Sequence, residues 1–386
     1  MQLKQKLNIK KIKIYQIKIP FSLQVTHNLA KRSESSGFLV EIQDHRGQKG
    51  YGEGTPRPYV TGEQPKDTKR ALTKLSVEVH ARDFASEDVL LSFLEGMSEN
   101  GYSGTAPSAI CAMELALLDL FSKRRGVPVW KLFRSRPASE TISYSSILPL
   151  LDKKPRQALL RLTKEYKISQ IKTKALDIDS TVKVVDEITR ALGENTDIRI
   201  DANAAFSSKD AVRLVSAIKD KGLAISCMEQ PVAKDDLEGL KKVEEDSGIP
   251  VIADESLCSN EDLERIISDK SCSGINVRLS KCGGLLKSAK ITERAKKAGM
   301  FCQLGCHVGE TSILSAAGRH LAALCGPFRF VEGCYSRFLL KEDVADPPIE
   351  FGLFGNTSVP EKPGLGVDVT EKALKRCCIP IFETEN

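Results

Sequence analysis

The sequence predicts an α/β protein: a TIM-type (β/α) barrel of seven or eight units that follows a first third of mixed α+β structure. Two observations carry this prediction. From about residue 138 onward, short apolar strands alternate with amphipathic helices, which is typical of parallel βα units. Charged residues near the strand ends also recur every 25–29 residues. One unit of an eight-unit barrel takes about 30 residues.

Composition and charge define the class of protein. The chain has 386 residues, of which 41% are hydrophobic and 28% charged, an ordinary balance for a globular protein of two or three domains. Six lysines lie between Lys4 and Lys18 and the rest of the chain is neutral, so the net charge of +6 does not indicate a nucleic-acid partner. No apolar stretch is long enough for a membrane helix. Eleven cysteines without zinc-site spacing indicate reduced thiols. We therefore expect a cytoplasmic protein that binds neither nucleic acid nor membrane.

The first third predicts strands followed by helices. Its elements are a lysine–isoleucine strand over residues 9–19, a second strand at 38–43, a glycine-rich loop at 50–62, charged helices over 63–97 and a helix at 106–125. The first strand slips in phase around Tyr15. The last helix has Pro107 near its start and Gly126 after its end, the positions that these residues favour.

Eight barrel strands follow in the sequence. They are predicted at residues 141–147, 170–174, 197–201, 224–229, 250–254, 273–277, 300–304 and 329–332. The charged residues near the strand ends are Lys174, Asp201, Glu229, Asp254, Lys281 and Glu310. Residues that recur with the period of one βα unit lie at the same end of successive strands, and that end holds the active site of TIM barrels. We predict that these six side chains line one mouth.

The three acidic residues Asp201, Glu229 and Asp254 come from neighbouring strands and predict a metal site. Three carboxylates in one mouth repel each other unless a cation neutralises them. Mg²⁺ prefers oxygen ligands and leaves room for a substrate carboxylate, and Mn²⁺ is the possible substitute. The alternative is that each carboxylate caps the following helix, which suits Asp254 best.

Lysines flank these carboxylates and predict acid–base chemistry. Lys172 and Lys174 are two apart on one strand and so point to the same face, while Lys281 lies further round the barrel, opposite them. The alternative is a surface lysine whose apolar stem is buried. A lysine beside a divalent cation and a second ammonium has a lowered pKa and can act as a general base. Two facing lysines could remove and return a proton on opposite faces of one carbon.

Five ordered motifs together carry a resemblance to a known family. They are Lys172-Thr173-Lys174, Ile200-Asp201-Ala202-Asn203, Met228-Glu229-Gln230-Pro231, Ala253-Asp254-Glu255-Ser256 and the stretch from Asn276 through Lys281 to Gly284. In this order they resemble the enolase superfamily, specifically its muconate lactonizing enzyme subgroup. The resemblance covers nearly the whole chain.

The resemblance implies roles for particular residues. Lys174 and Lys281 would form the acid–base pair, and Asp201, Glu229 and Asp254 would bind Mg²⁺. The implied supporting residues are Lys172, Asn203, Glu255 and Glu310. Two readings of His307, at the end of the seventh strand, stay open: it contacts the substrate, or it merely lines the mouth.

The resemblance also implies a domain organisation. An α+β capping domain would comprise residues 1–137, the barrel residues 138–335, and a C-terminal segment, 336–386, would complete the cap. A loop at residues 22–35 would close over the substrate. Members of the subgroup are often oligomeric, which implies a homo-oligomer.

The implied activity is abstraction of the proton α to a carboxylate of a small molecule. Racemisation or epimerisation of N-acyl amino acids or dipeptides is the specific prediction, because two lysines on opposite faces suit two-sided proton transfer. The eighth strand is followed by Glu332 alone, where dipeptide epimerases carry a pair of aspartates, and this argues against a dipeptide. The alternatives are muconate-type cycloisomerisation, dehydration of the o-succinylbenzoate synthase kind, and a non-catalytic barrel that binds a carboxylate ligand.

Overall fold

A computed structural model describes residues 7–27, 30–99, 106–149 and 153–384 of the chain. The N-terminal part combines an antiparallel sheet with helices that pack on one of its faces. Its elements in chain order are β1 (Leu7–His27), β2 (Ala30–Asp44), β3 (Lys49–Gly54), α1 (Pro58–Thr61), α2 (Pro65–His80), β4 (Asp83–Phe84), α3 (Glu87–Glu99) and α4 (Pro107–Arg125).

The barrel follows a 3₁₀ helix at Val129–Leu132. Its elements are β5 (Thr141–Ser143), β6 (Ser146–Leu148), α5 (Lys153–Glu165), β7 (Gln170–Lys174), α6 (Ile178–Leu192), β8 (Asp197–Asp201), α7 (Ser208–Asp220), β9 (Cys227–Glu229), α8 (Leu237–Ser247), β10 (Val251–Ala253), α9 (Asn260–Asp269), β11 (Gly274–Val277), α10 (Leu279–Cys282), α11 (Leu285–Lys297), β12 (Phe301–Leu304), α12 (Ser312–Cys325) and β13 (Phe330–Val331).

The C-terminal segment returns to the first sheet. It contains α13 (Ser336–Leu339), a 3₁₀ turn at Leu353–Gly355, β14 (Asn356–Ser358), α14 (Glu371–Cys377) and β15 (Cys378–Glu383). β15 pairs antiparallel with β1, so that the last strand of the chain is an edge of the N-terminal sheet. This pairing supports the predicted division into 1–137, 138–335 and 336–386, which stays a prediction.

The predicted barrel is confirmed. The eight strands from β6 to β13 lie in sequence order, and each pairs parallel with the next. A parallel bridge between Tyr144, just before β6, and Val331 of β13 joins the first strand to the last. The predicted bounds of β7 and β8 are those observed. The predicted strand at 141–147 is two strands instead, because β5 leaves the barrel to pair with β14.

The lysine–isoleucine strand is confirmed, with its phase slip. Ile12, Ile14, Ile17 and Ile19 are fully buried against the helices. The pairing with β15 shifts register between Ile14 and Tyr15, which is where the alternation breaks. A bulge of this kind lets both halves of a strand keep their apolar side chains on the core face.

The prediction of a loop at 50–62 is wrong for its first half, which forms β3. Gly50, Gly52 and Gly54 all face α4, and a Cβ at any of them would overlap a backbone carbonyl oxygen of that helix. The three glycines therefore permit a close approach of strand and helix. Glycine is also common in turns, where it permits a positive φ. Composition alone did not distinguish the two roles.

Two glutamates of the N-terminal domain connect it to the barrel. Glu53 of β3 accepts hydrogen bonds from the backbone N–H groups of Thr311 and Leu314 at the start of α12. Glu114 of α4 accepts from the N–H groups of Leu285 and Leu286 at the start of α11. Because the N-terminus of a helix favours a negative charge, these contacts stabilise the docking of the domain on the barrel.

Three further sequence predictions can be compared with the structure. Most of the predicted closing loop at 22–35 is strand, since residues 22–27 belong to β1 and 30–35 to β2. Residues 28–29 lie outside the described residues. In the stretches of chain that the structure covers, no helix has the length and apolar character needed to cross a membrane. All eleven cysteines are free thiols, as predicted.

Candidate active site

The carboxyl ends of the barrel strands place the predicted acidic residues at one level. Lys174, Asp201 and Glu229 are the last residues of β7, β8 and β9, and they are neighbours in the parallel ladders. Asp254 follows β10 by one residue. The three carboxylates are completely buried. The structure therefore brings the predicted metal ligands together at the mouth.

Lys174 is held at the edge of this cluster. Its ammonium donates to Asp201 Oδ2 at 2.6 Å and to Asn203 Oδ1 at 2.5 Å. Asn203 itself donates through Nδ2 to Glu255 Oε1 at 3.2 Å. The Lys174 side chain is partly exposed and lines the cavity described below. It is therefore fixed in place but open to a ligand.

Lys172 lies deeper, among three carboxylates. Its Nζ lies 2.6 Å from Glu332 Oε1, 3.2 Å from Glu229 Oε2 and 3.4 Å from Asp201 Oδ2. Burial disfavours the ammonium, but these carboxylates outweigh burial and raise the pKa of Lys172. Lys172 therefore stays charged and compensates the acidic cluster.

Glu229 is the central carboxylate of the cluster. Asn276 Nδ2 donates to its Oε1 at 2.7 Å, and Gln303 Nε2 donates to its Oε2 at 3.0 Å. Burial opposes ionisation, but Lys172 and Arg278 hold the pKa of Glu229 well below its usual range. Glu229 is therefore ionised and oriented from both sides.

The structure corrects the prediction that Lys281 faces Lys174 across the mouth. Lys281 lies on the short helix α10, completely buried, and donates to Asp254 O (2.7 Å), Asp254 Oδ1 (2.8 Å) and Asn276 O (2.8 Å). Burial disfavours its charge, but Asp254 raises the pKa of Lys281 above its ordinary value. It does not line the cavity in the described part of the chain. All three of its protons are used for structure.

Arg278 occupies the position that the sequence reading gave to Lys281. It follows β11 directly and lines the cavity, and its Nη2 is bonded to Asp254 Oδ2 and lies 3.3 Å from Glu229 Oε1. The chain enters a helix at Leu279, which turns Lys281 away from the mouth. One signal could have found Arg278: it is two residues after Asn276 and so shares its inward face, as Lys174 does with Lys172.

Glu255 adds a fourth buried carboxylate. Its Oε1 accepts from Asn203, while its buried Oε2 has no hydrogen-bond partner. Burial, together with the charges of Asp254 and Asp201, raises the pKa of Glu255 to about 7. Asn203 thus connects Lys174 to Glu255, and the supporting role predicted for Asn203 and Glu255 stays a prediction.

His307 and Glu310 form the opposite wall. His307 Nδ1 lies 2.9 Å from Thr55 Oγ1 of the N-terminal domain, and the His307 backbone N–H donates to Glu310 Oε1 at 2.6 Å. Burial raises the pKa of Glu310 to about 8. Both residues line the cavity. This position of His307 agrees with both interpretations, contact with the substrate and simple lining of the mouth.

The cavity above these groups has a polar floor and apolar walls. Cations and carboxylates make the floor: Lys172, Lys174, Asp201, Glu255, Arg278 and Glu332. Apolar and aromatic side chains make the walls, and they include Tyr59, Ile147, Leu159, Phe338, Leu339 and Phe351. Such a cavity suits a ligand with a charged end and an apolar end.

Cations contact the acidic residues at the mouth. The cations are Lys172, Lys174, Arg199, Arg278 and Lys281, and their partners are Asp201, Glu229, Asp254 and Glu332. Among the described residues, no group of three acidic, histidine or cysteine side chains is arranged to hold a metal ion.

A comparison with protein families decides where this chain belongs. A model described as enolase C-terminal domain-like matches residues 155–373, more than half of the chain. The chain belongs to the enolase superfamily. The resemblance to this superfamily that the motifs carry is thereby confirmed.

Enolase-superfamily relatives match almost end to end. An L-Ala-D/L-Glu epimerase of Clostridium acetobutylicum is 31% identical over 93% of this chain and 98% of the relative. An N-succinyl-L-Arg/Lys racemase of Bacillus cereus is 27% identical over 97% and 98%. The dipeptide epimerase of Enterococcus faecalis V583, solved with Mg and the dipeptide L-Leu-L-Tyr, superposes with a TM-score of 0.82 at 26% identity, over 94% of this chain and 99% of that one. These relatives are isomerases, as the sequence predicted.

Proposed function

We propose that this enolase-superfamily protein removes the proton α to the carboxylate of an N-acyl amino acid or dipeptide, with Lys174 as the base and Mg²⁺ as the cofactor. The observation that carries the proposal is the position of Lys174. Its amino group is fixed by Asp201 and Asn203 and borders a cavity whose floor is rich in cations. A neutral amine held in this way can accept a proton from a bound carbon acid.

The names of the relatives support this class of reaction. One relative is named as a racemase of N-succinyl-L-Arg/Lys, and the other two are named as epimerases of L-Ala-D/L-Glu and of dipeptides. Their similarity extends over the whole chain rather than over the barrel alone. Fold similarity alone would not support an activity, but the lysine and the carboxylates that this chain brings together at the mouth do.

The residues present fit a divalent cation by the chemistry of their donors. Asp201, Glu229 and Asp254 would hold it, since they supply buried, hard oxygen atoms from three adjacent strands. The buried Oε2 of Glu255, the residue after Asp254, has no hydrogen-bond partner and is a further oxygen atom at this place. When bound, Mg²⁺ supplies positive charge next to the substrate carboxylate; Mn²⁺ would fit the same oxygens.

Glu332 favours an N-acyl group over a free amino group on the substrate. Its Oε1 accepts hydrogen bonds from Lys172, Arg199 and Gln303, at 2.6, 2.8 and 3.3 Å. A carboxylate with three donors is not left to bind a substrate ammonium. The apolar walls of the cavity suit an acyl chain or an apolar side chain instead.

A second candidate is favoured by one observation. Lys174 and Arg278, rather than two lysines, border the cavity from opposite sides. Cycloisomerisation of a muconate-like diacid and dehydration of the o-succinylbenzoate synthase kind can proceed from one face with one base. Both reactions involve an enediolate formed at the substrate carboxylate, so Lys174 would again act as the acid or base.

Deuterium exchange tests the proposal. The purified protein, with Mg²⁺, is incubated in D₂O with pooled N-succinyl-L-amino acids, N-acetyl-L-amino acids and L-Ala dipeptides, with muconate added for the second candidate, and the products are analysed by mass spectrometry. We expect one deuteron at the α-carbon of members of one class. Lys174→Ala should lower the exchange rate at least about 100-fold, since a positioned base contributes roughly 10²–10⁴-fold.

The matched control is Lys221→Ala. Lys221 is an exposed lysine after α7, far from the mouth in the fold, and its loss should leave the exchange rate unchanged. Exchange that persists in Lys174→Ala would reject Lys174 as the base. No exchange by the wild-type protein in any compound, together with no conversion of muconate, would reject the proposed function.

A further inference from the structure

Arg278 stands where a second proton-transfer group would have to be. β7 and β11 are four positions apart in a barrel of eight strands, so Lys174 and Arg278 approach the cavity from opposite sides. Both have charged partners on the floor: Lys174 bonds Asp201, and Arg278 bonds Asp254 and lies 3.3 Å from Glu229. A substrate held on this floor lies between the two.

Inversion at a carbon needs a group on each face that can both take and give a proton. In one direction of the reaction a given group acts as base, and in the other direction it acts as acid. A lysine can alternate between amine and ammonium, whereas a guanidinium is not deprotonated in proteins. Arg278 therefore cannot serve as the base for either enantiomer.

The neighbouring side chains do not take the place of Arg278 opposite Lys174. Lys281 is buried behind the mouth with its three protons bonded to Asp254 and Asn276. His307 and Glu310 line the cavity but follow β12, one strand further round the barrel than Arg278, and His307 Nδ1 contacts Thr55. Of the two lysines that line the cavity in the described part of the chain, Lys172 lies among three carboxylates and Lys174 is the more exposed.

We propose that Arg278 confines proton transfer to the Lys174 face, so that this protein exchanges the α-proton with retention of configuration and inverts the carbon slowly. The inference rests on the proposed function. Lys174 takes the proton, the electron pair of the broken C–H bond passes into the enediolate, and the ammonium returns a proton to the same face. No other reactant is consumed. Arg278 is thus the residue that decides the stereochemical outcome.

Chiral analysis of the exchange reaction tests this. With any compound of the N-succinyl-L-amino acid and L-Ala dipeptide panel that exchanges, the product of the wild-type protein should be deuterated and still L. Inversion should be at least about 100-fold slower than exchange, which is the low end of what a positioned acid–base group contributes. Arg278→Lys should raise the inversion rate to within about tenfold of exchange. Arg213→Lys, an exposed arginine on α7, is the matched control and should change neither rate.

The possible failures are distinguishable. Inversion by the wild-type protein at a rate within about threefold of exchange overturns the inference while leaving the proposed function intact; His307→Asn would then show whether His307 supplies the second group. This measurement needs no variant, so misfolding of Arg278→Lys does not affect it. A folded Arg278→Lys protein that exchanges but does not invert faster also overturns the inference. No exchange by any of the proteins overturns the proposed function and the inference with it.

Discussion

The ammonium of Lys281 is bonded to Asp254 twice, at 2.8 Å to a carboxylate oxygen and at 2.7 Å to the backbone carbonyl. A third bond, to the carbonyl of Asn276, joins the end of β10 to the end of β11. These contacts satisfy two backbone groups and one side chain where two barrel strands end. We therefore expect Lys281 to stabilise the strand ends within the candidate site.

Replacement of Lys281 should cost stability. Lys281→Ala leaves two buried carbonyl groups and part of a buried carboxylate without their partner, so we expect the free energy of unfolding to fall by about 3–5 kcal/mol. Urea denaturation of the wild-type and variant proteins measures this. Lys221→Ala is the control and should lie within about 0.5 kcal/mol of wild type. A Lys281→Ala protein with wild-type stability but no exchange activity would instead return Lys281 to the acid–base role.

Binding of Mg²⁺ can be measured without activity. Calorimetric titration should show one site in the wild-type protein, weakened at least about tenfold in Asp201→Asn and in Glu229→Gln. Asp220→Asn, an exposed aspartate at the end of α7, controls for a change in net charge. Equal affinity in all four proteins would show that the bound ion lies elsewhere.

Buried His320 should make the protein less stable in acid. It lies in α12, its Nδ1 accepts from the Trp130 backbone N–H at 3.2 Å, and burial lowers its pKa to about 3. The neutral form is therefore favoured in the folded protein. Since the unfolded pKa is about 6.5, stability is complete above pH 6.5 and falls by about 1.4 kcal/mol per unit as the pH drops toward 3.

The measurement for His320 is the free energy of unfolding at pH 7.5 and pH 5.0. The histidine should account for a loss of about 2 kcal/mol over this interval. His320→Asn keeps an acceptor for the Trp130 N–H but does not titrate, so its loss should be smaller than that of wild type by this amount. The same pH dependence in both proteins would contradict the assignment.

The glycines of β3 give a test of the packing between strand and helix. A Cβ at Gly52 would overlap the carbonyl oxygen of Ala112 in α4. Gly52→Ala should therefore destabilise the protein by about 1–3 kcal/mol or more, as overpacking does. At Gly318, inside α12, an added Cβ would lie 3.8 Å from Leu304, which is an ordinary van der Waals contact. Gly318→Ala should therefore stabilise the protein by up to about 1 kcal/mol. Thermal unfolding of both variants compares them; a shift in the same direction for both would contradict this account.

The sequence predicted most of the barrel because its signals are local and repeat. Alternation of apolar strands and amphipathic helices located β7 and β8 to the residue. The nearly constant spacing of charged residues along the chain placed Asp201, Glu229 and Asp254 at one level of the barrel. The strand ends can be located by counting residues along the chain, because parallel strands of similar length end at the same edge of the barrel.

Where the sequence failed, the deciding contact was distant along the chain. The glycines of β3 looked like a loop because the helix that needs them, α4, comes only after three other helices. The strand predicted at 141–147 divides because β5 pairs with β14, which belongs to the C-terminal segment beyond the whole barrel. Such contacts leave no local periodicity.

The sequence by itself determined the fold class, most of the barrel strands and the acidic residues at the mouth. Which cation faces the cavity was decided by the tertiary structure. Arg278 and Lys281 lie close together in the sequence, and the period of 25–29 residues favours the lysine, which follows Asp254 by 27 residues, over the arginine, which follows it by 24. The chain turns into α10 between them, so the arginine follows the strand into the cavity and the lysine bonds the strand ends behind it. Spacing counts residues along the chain, whereas the direction of a side chain depends on the backbone conformation at that residue.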